Sequence, residues 1–344
     1  MESDLATRHR RAYKSIYANV VNDSSSPLKM VSCGKCGAKC FIPADLPPFE
    51  TTNCNKCEHP IMIPVMMRQF ELRAVIASGG MGTVFRSWDT NLHREVAVKL
   101  MQEEFAADPV QVEEFVKEAR ACACINHTNI IHIYSFDEID GNKYLVMELA
   151  ENGTLDDRIE EHGQVPELDV LDVGIKIASG LDAALRHNLL HLDIKPGNIL
   201  YNGDDPPEPK LVDFGLAKSA DEERGYEEEG GIFGTPYYIA PERLAEHRED
   251  FRSDMYSLGG TLYHALTGRV PFEAPEIHDV ANAHIHEPLE PPNLLVGIQE
   301  LTNEAICRSM AKNPDERFQS YDEFIMALTA ARSHLLIERY GGGG

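Results

Sequence analysis

The sequence has no uninterrupted apolar run near the roughly 20 residues that a membrane-spanning helix needs. Its N-terminus is polar and lacks the apolar core of a secretory signal, so we expect a cytoplasmic protein. Positive charge is scarce, with 32 Lys and Arg against 56 Asp and Glu. The deficit lies in residues 69–344, whose net charge is −27, whereas residues 1–68 carry +3. An acidic body of this kind repels nucleic-acid phosphates and anionic lipids, which disfavours both as partners.

Cysteine is sparse outside one short segment, because five of the eight cysteines lie between Cys33 and Cys57. In a chain without an export signal, clustered thiols indicate a metal site rather than disulfides. Two Cys-x-x-Cys turns, Cys33 to Cys36 and Cys54 to Cys57, are separated by 17 residues. Each tight turn presents two thiolates, and two such turns complete a tetrahedral Zn²⁺ site. The segment resembles the zinc-ribbon family over about residues 31–65.

Four cysteine ligands leave no position for water, so we expect the zinc to be structural. Cys40 or His59 could replace one ligand, and iron is the alternative metal for four thiolates. A nucleic-acid reader is an alternative role for the ribbon, but four thiolates on Zn²⁺ carry −2 and aromatic residues there are few. We expect a protein-docking or structural role instead. Only about four residues separate Pro64 from the next predicted strand, so the ribbon should pack against the following sheet.

Beyond the ribbon, strand-like patterns give way to helical ones. Strands are predicted at 70–76, 82–88, 94–100, 130–139 and 143–149, and a helix at about 109–124. Further helices are predicted at 168–187, 254–267, 297–311 and 321–336. This order indicates an α+β architecture in two lobes. We divide the chain into a polar segment 1–30, the ribbon 31–65, a domain 69–335 with lobes 69–150 and 151–335, and a glycine tail 341–344.

Several motifs suited to handling phosphate occur in one order along the domain. The first is a glycine-rich turn at 77–84, which by itself suits a plain hairpin equally well. The strand that ends at Lys99 and a helix with Glu118 come next. The chain continues with His191-Leu-Asp193-Ile-Lys195-Pro-Gly-Asn198, Asp213-Phe-Gly215 and Ala240-Pro-Glu242. Taken together, these motifs resemble the protein kinase family over roughly residues 69–335.

The resemblance implies a bilobal protein kinase fold, with a β-rich N-lobe and a helical C-lobe, that uses ATP and Mg²⁺. Lys99 would hold the α- and β-phosphates and pair with Glu118. Asp193 would orient the substrate hydroxyl and accept its proton, while Lys195 would contact the γ-phosphate. Asn198 and Asp213 would hold Mg²⁺. The other nucleotide contacts would come from Ala77, Ser78, Gly79, Gly80, Met81, Gly82, Val84, Ala97, Leu200, the gatekeeper Met147, and the hinge Glu148 to Ala150.

The resemblance also implies supporting contacts and a substrate class. Phe214 would pack beneath the helix that carries Glu118, Glu242 would pair with Arg317, and Asp254 would brace the catalytic loop. The Lys195 motif and Gly234-Thr235-Pro236 resemble the serine/threonine branch, so protein Ser and Thr hydroxyls would be the substrates. In that branch Thr235 would bond Asp193 and Lys195.

Two residues depart from the family pattern. Ala77 replaces the first loop glycine, and we expect a modestly weaker affinity for ATP. Leu192 replaces the arginine that usually receives an activation-loop phosphate. Between Leu216 and Phe233 only Ser219 and Tyr226 carry hydroxyls, in a stretch rich in Asp and Glu. We hypothesise that activity does not depend on phosphorylating this loop; a merely solvated acidic loop is the alternative. A pseudokinase scaffold is the alternative for the chain, disfavoured because every transfer residue is present.

Overall fold

The computed structural model describes residues 28–33, 36–46, 50–78, 82–101, 112–113, 116, 119, 123–139, 141–203, 205–214, 218–219, 236–244 and 249–341. These residues form two compact units. One is rich in strands and contains the described residues up to 123 together with 132–149. The other is largely helical and contains residues 124–131 and the described residues from 150 onward.

Ten strands occur among the described residues of the first unit. They are β1 (Leu28–Ser32), β2 (Lys39–Pro43), β3 (Thr51–Asn53), β4 (Pro60–Met62), β5 (Val65–Met67), β6 (Phe70–Ser78), β7 (Gly82–Asp89), β8 (Arg94–Met101), β9 (Ile133–Ile139) and β10 (Asn142–Met147). Six of them form an antiparallel sheet in the order β5-β6-β7-β8-β10-β9. The predicted strands are confirmed, although β9 begins three residues later than expected. Within the range predicted as a helix, residues 112, 113, 116, 119 and 123 are helical.

The ribbon packs against this sheet through β4, as its short connection predicts. Successive side chains of a strand point to opposite faces. Ile61 accordingly lies in the cysteine-rich core of the ribbon, whereas Met62 lies in the core of the six-stranded sheet. The residues after Pro64 are not a linker but the strand β5, which pairs with β6 through Val65↔Leu72 and Met67↔Phe70. Ribbon and sheet are therefore joined by continuous packed structure.

The helical unit contains seven α-helices among its described residues. They are α1 (Leu155–His162), α2 (Glu167–Arg186), α3 (Pro241–Leu244), α4 (Phe251–Thr267), α5 (Ile277–His286), α6 (Glu300–Ser309) and α7 (Tyr321–Gly341). Short strands β11 (Leu189–Leu190), β12 (Ile199–Asn202), β13 (Glu208–Leu211) and β14 (Lys218–Ser219) pair as β11-β14 and β12-β13. The helices α2, α4, α6 and α7 confirm the predictions, whereas α1, α3 and α5 were not expected. The predicted order, strands before helices, is therefore confirmed, whereas these three helices were not predicted.

The position of the site in this unit depends on α4. The Asp250 side chain accepts a hydrogen bond from the Arg252 N–H at 2.8 Å and so caps the start of the helix. Nearly every residue of α4 is buried, including Asp254. A buried helix of this kind gives its polar side chains fixed positions from which they can hold neighbouring loops.

Candidate functional site

The helical unit brings three predicted site residues together in the loop between β11 and β12. Lys195 Nζ donates to Asp193 Oδ2 at 2.8 Å. Asn198 Nδ2 donates to the Asp193 main-chain oxygen at 2.7 Å and to its Oδ2 at 3.0 Å. A 3-10 helix at Pro196–Asn198 turns the chain so that Asn198 points back at Asp193. One carboxylate is therefore oriented by a cation and an amide from its own loop.

His191 supports this loop from within the protein. It is fully buried, and its Nδ1 accepts a hydrogen bond from the Asp193 N–H at 3.2 Å. Its Nε2 therefore carries the proton and donates to the Val212 oxygen at 3.1 Å. Burial lowers the pKa of His191, which keeps the ring neutral in the form that this pattern needs. The Phe214 ring lies against it, with 4.4 Å between ring centroids.

Leu192 has both of its main-chain polar groups held by charged side chains. Asp254 accepts hydrogen bonds from the His191 and Leu192 N–H groups, each at 2.7 Å, as the expected brace of the loop. Burial raises the pKa of Asp254, and these two donors oppose the rise. Arg243 Nη1 donates to the Leu192 oxygen. This last contact was not predicted, since no sequence pattern relates α3 to a carbonyl of the loop.

Glu242 and Arg317 form the expected ion pair. Two bonds of 2.7 Å join Arg317 Nη1 and Nη2 to the carboxylate, and Ser253 Oγ donates to it at 2.7 Å. Both side chains are almost fully buried. Burial alone would raise the pKa of Glu242, but the bonds and charge of Arg317 outweigh it, so the pKa lies below its usual value. The pair stays charged and fixes α3.

Five of the predicted nucleotide residues of the β-rich unit share one face of the sheet: Ala77, Val84, Ala97, Lys99 and Met147. Cross-strand partners point to the same face. The register pairs Ala77 with Val84 and Val84 with Lys99, and it pairs Ala97 with Met147. The opposite face forms the core, with Phe85, Val98 and Tyr144 buried. The first face therefore carries Lys99 among small and apolar side chains.

Two further residues of this unit have defined surroundings. At Gly82 an added Cβ would lie 2.6 Å from the Leu100 oxygen, so the close approach of β7 and β8 requires a glycine there. At Glu148, the first residue of the predicted hinge, the main-chain N–H donates to the His132 oxygen at 2.8 Å. Ser78 ends β6, and Ala150 and Leu200 are half-buried in the helical unit. Gly79, Gly80, Met81, Glu118 and Thr235 lie outside the residues that the structure describes.

The four predicted zinc ligands converge. The sulfur atoms of Cys33, Cys36, Cys54 and Cys57 all lie within 4.8 Å of one another. Cys33 and Cys57 are 3.6 Å apart, and Cys36 and Cys54 are 3.7 Å apart, measured between Sγ atoms. Sulfurs about 2.3 Å from one ion at tetrahedral angles are separated by about 3.8 Å, so the cluster fits Zn²⁺.

The two cysteine turns are built alike. In the first, Cys33 N–H donates to the Ala38 oxygen at 2.8 Å and Gly37 N–H to the Cys33 oxygen at 2.9 Å. In the second, Cys54 N–H donates to the His59 oxygen at 2.8 Å and Glu58 N–H to the Cys54 oxygen at 2.9 Å.

One thiol of the cluster has a lowered pKa, and a fifth thiol lies beside the group of four. The Lys56 N–H donates to Cys54 Sγ and lowers the pKa of that thiol to about 6, which favours the thiolate that a metal binds. Cys40 Sγ lies 3.6 Å from Cys54 Sγ but outside the group of four.

Comparison with known proteins agrees with this geometry. Residues 70–328 match the protein kinase domain. A probable serine/threonine-protein kinase of Clostridium perfringens is 35% identical over 262 residues, covering 76% of this chain and 38% of that protein. The serine/threonine-protein kinase PknE of Mycobacterium tuberculosis is 35% identical over 263 residues, covering 76% of this chain and 46% of that protein. The chain thus spans less than half the length of these curated relatives.

Among the helices that the structure describes, none is both long enough and apolar enough to cross a membrane. Three observations agree. The kinase motifs occur in order, Lys195 orients the Asp193 carboxylate, and residues 70–328 match the protein kinase domain. This chain belongs to the protein kinase family and has its β-rich N-lobe and helical C-lobe.

Proposed function

We propose that this protein is a serine/threonine kinase that transfers the γ-phosphate of ATP to protein hydroxyls. The observation that carries the proposal is the Asp193 carboxylate, which Lys195 and Asn198 orient within one loop. Phosphoryl transfer needs a positioned carboxylate at the attacking hydroxyl and cations around the phosphates, and little covalent chemistry. The serine/threonine kinase names of the relatives support the same activity.

Each residue of the loop has a part in this chemistry. Asp193 accepts a hydrogen bond from the substrate hydroxyl, orients it and takes its proton. Lys195, now bonded to Asp193, is long enough to turn toward a γ-phosphate. Asn198 donates to Asp193 through Nδ2, so the side-chain oxygen of Asn198 is the atom that would bind a metal. Together with the Asp213 carboxylate this is an all-oxygen set suited to Mg²⁺, which neutralises phosphate charge when bound.

The N-lobe contributes the nucleotide site in this proposal. Lys99 holds the α- and β-phosphates, with Val84, Ala97 and Met147 beside it on the same face for the adenine ring. Glu118 pairs with Lys99, and Thr235 bonds the Asp193 loop. These two roles follow from the family resemblance.

The test uses Mg²⁺, radiolabelled ATP and a degenerate peptide library with Ser, Thr or Tyr as acceptor. The wild type should label Ser and Thr peptides, and Asp193→Asn should reduce the rate by roughly 100-fold or more while ATP still binds. Asp322→Asn, an exposed carboxylate at the start of α7, is the control. A wild type that binds ATP without any transfer would instead support the pseudokinase scaffold.

We further propose that activity does not need a phosphate on the activation segment. Leu192 cannot bind such a phosphate, and the two hydroxyls between residues 216 and 233 lie among acidic side chains. Phosphatase-treated and untreated protein should phosphorylate the same peptide at equal rates. A large loss after treatment would refute this part of the proposal.

For the cysteine cluster we propose a structural Zn²⁺ held by Cys33, Cys36, Cys54 and Cys57. The four sulfurs match the edges of a tetrahedral site. Elemental analysis should find one zinc per chain, Cys57→Ser should lose it, and Cys40→Ser should keep it. Zinc loss from Cys40→Ser would give Cys40 a place among the ligands.

We propose that the ribbon docks a protein rather than nucleic acid, on the basis of exposed apolar side chains on one of its faces. Met30 and Phe41 are cross-strand partners on the outer face of β1 and β2, and both are more than half exposed. Leu28 lies beside them on the same face. Exposed apolar groups of this kind mark protein contact sites. Tight binding of the ribbon to DNA or RNA probes, measured by fluorescence anisotropy, would contradict this role.

A further inference from the structure

The peptide group between Leu192 and Asp193 is held at both ends. Its carbonyl oxygen, on Leu192, accepts from Arg243 Nη1. Its N–H, on Asp193, donates to His191 Nδ1 at 3.2 Å. A peptide group is rigid and planar, so two fixed ends set its rotation. That rotation decides where the Asp193 side chain leaves the backbone.

This peptide needs such restraint because Leu192 is in an unfavourable conformation. Its φ is +63°, in the left-handed region. For a residue other than glycine this region is sterically unfavourable, because Cβ lies too close to the following carbonyl oxygen. Asp254 holds the Leu192 N–H from one side, at 2.7 Å, and Arg243 holds the carbonyl from the other. Without one of these two bonds, the loop could relax toward an ordinary backbone conformation.

Arg243 is itself anchored. Its Nε donates to Glu249 Oε1 at 3.1 Å, and the side chains of Arg243 and Glu249 are only 18% and 14% exposed. Partial burial strengthens a charge-assisted bond relative to a surface pair. Arg243 lies on α3, directly after the Ala240-Pro241-Glu242 motif, and Glu242 is fixed by Arg317. The guanidinium therefore links the catalytic loop to the chain that follows the activation segment.

We propose that Arg243 is a positioning residue for Asp193, which holds the catalytic loop through the Leu192 carbonyl. The proposal rests on the proposed kinase function and deepens it. In the family pattern, the residue before the catalytic aspartate is an arginine, and this arginine binds a phosphate. This chain has Leu192 at that position, and Arg243 supplies a guanidinium from α3 instead. The carboxylate of Glu249 supplies the negative charge that a phosphate would otherwise add. The link between loop and α3 is then permanent and needs no modification.

The kinetic test compares Arg243→Met and Arg243→Lys with the wild type. Loss of the bond misorients Asp193, so Arg243→Met should lower kcat roughly 10- to 100-fold and change the KM for ATP and peptide little. Arg243→Lys, which retains a donor, should recover part of the rate. Arg332→Met is the matched control, because Arg332 lies on α7 and pairs with Asp172 on α2.

A double variant separates positioning from general stability. If Arg243 acts through Asp193, then Asp193→Asn combined with Arg243→Met should be no slower than Asp193→Asn alone. Additive losses, or a kcat for Arg243→Met within twofold of the wild type, would overturn the proposal.

Hydrogen exchange provides a readout that does not need activity. In Arg243→Met, the amides of residues 191–195 should exchange faster than in the wild type, whereas Arg332→Met should leave them unchanged. Unaltered exchange in Arg243→Met would refute the proposal even if the wild type transferred no phosphate. Failure of the kinase function and failure of the Arg243 role are thereby distinguished.

Discussion

At the residue scale, the two cysteine turns of the ribbon differ at one informative position. The fourth residue after the first cysteine is Gly37 in one turn and Glu58 in the other, with φ of +67° and +59°. Glycine adopts this left-handed region without steric cost, whereas other residues do not. An added Cβ at Gly37 would meet nothing within 4 Å, so only the backbone conformation opposes a side chain there.

This difference predicts opposite effects for two substitutions. Glu58→Gly should stabilise the ribbon by up to about 1 kcal/mol, and Gly37→Ala should destabilise it by a similar amount. The rate at which a chelator removes zinc reports the change, slower for Glu58→Gly and faster for Gly37→Ala. Equal rates for the two variants would contradict the assigned strain.

The site could be predicted where its residues are close along the chain, or where the family resemblance pairs two side chains, as it does Glu242 and Arg317. Asp193, Lys195 and Asn198 lie within six residues and meet through their own side chains. The bond from Arg243 to Leu192 joins a side chain to a carbonyl 51 residues away. Every residue has a carbonyl, so no residue type marks such a partner in advance.

At the scale of elements, α4 and α6 approach each other at one of two adjacent glycines. A Cβ at Gly259 would lie 2.2 Å from Ser309 Oγ and 2.9 Å from Met310 Cγ. At Gly260 the nearest atoms would be 3.6 Å away, which is ordinary contact. Substitution by alanine should therefore change the stability of the protein in opposite directions at the two positions.

Gly259→Ala should destabilise the protein by roughly 1–3 kcal/mol, because buried Ser309 must shift. Gly260→Ala should stabilise it by up to about 1 kcal/mol through helix propensity. Thermal or urea unfolding of the two variants measures both effects. Destabilisation of equal size at both positions would contradict the assignment of the close contact to Gly259 alone.

Long elements with a clear apolar pattern could be predicted from the sequence, whereas short elements could not. The 20 residues of α2 repeat buried apolar positions over several turns, and α4 is a long helix of 17 residues. β5 has three residues, too few for an alternation to be recognised, and it is a strand only because it pairs with β6. α1 did have a local signal, since Thr154 and Asp157 form a capping box.

At the scale of the whole molecule, buried histidines should make the fold sensitive to acid. His284 is buried on α5, its Nδ1 lies 2.8 Å from the Tyr256 hydroxyl, and Lys312 Nζ donates to its main-chain oxygen. Burial, aided by the charge of Lys312, lowers the pKa of His284 from 6.5 to about 3. Burial also lowers the pKa of His127, His191 and His264.

The sign of the effect follows from which state binds protons first. Between pH 6.5 and 3 the unfolded chain protonates His284 and the folded protein does not, so stability falls as the pH falls. At pH 5 this amounts to about 2 kcal/mol for one such histidine. His284→Asn should therefore flatten the dependence of the free energy of unfolding on pH between 7 and 5. His278→Gln, an exposed residue of the same helix, is the control, and parallel curves for His284→Asn and wild type would refute the prediction.

The pairing of β5 with β6 has a practical consequence for dividing this protein. The family match begins at residue 70, a natural place to start a recombinant kinase fragment. A fragment cut there would lose Met62, Val65 and Met67, three side chains buried in the core of the sheet. It would also leave the Phe70 end of β6 as an open edge, which invites aggregation. Soluble catalytic fragments of this chain should therefore begin before the ribbon, not at the family boundary.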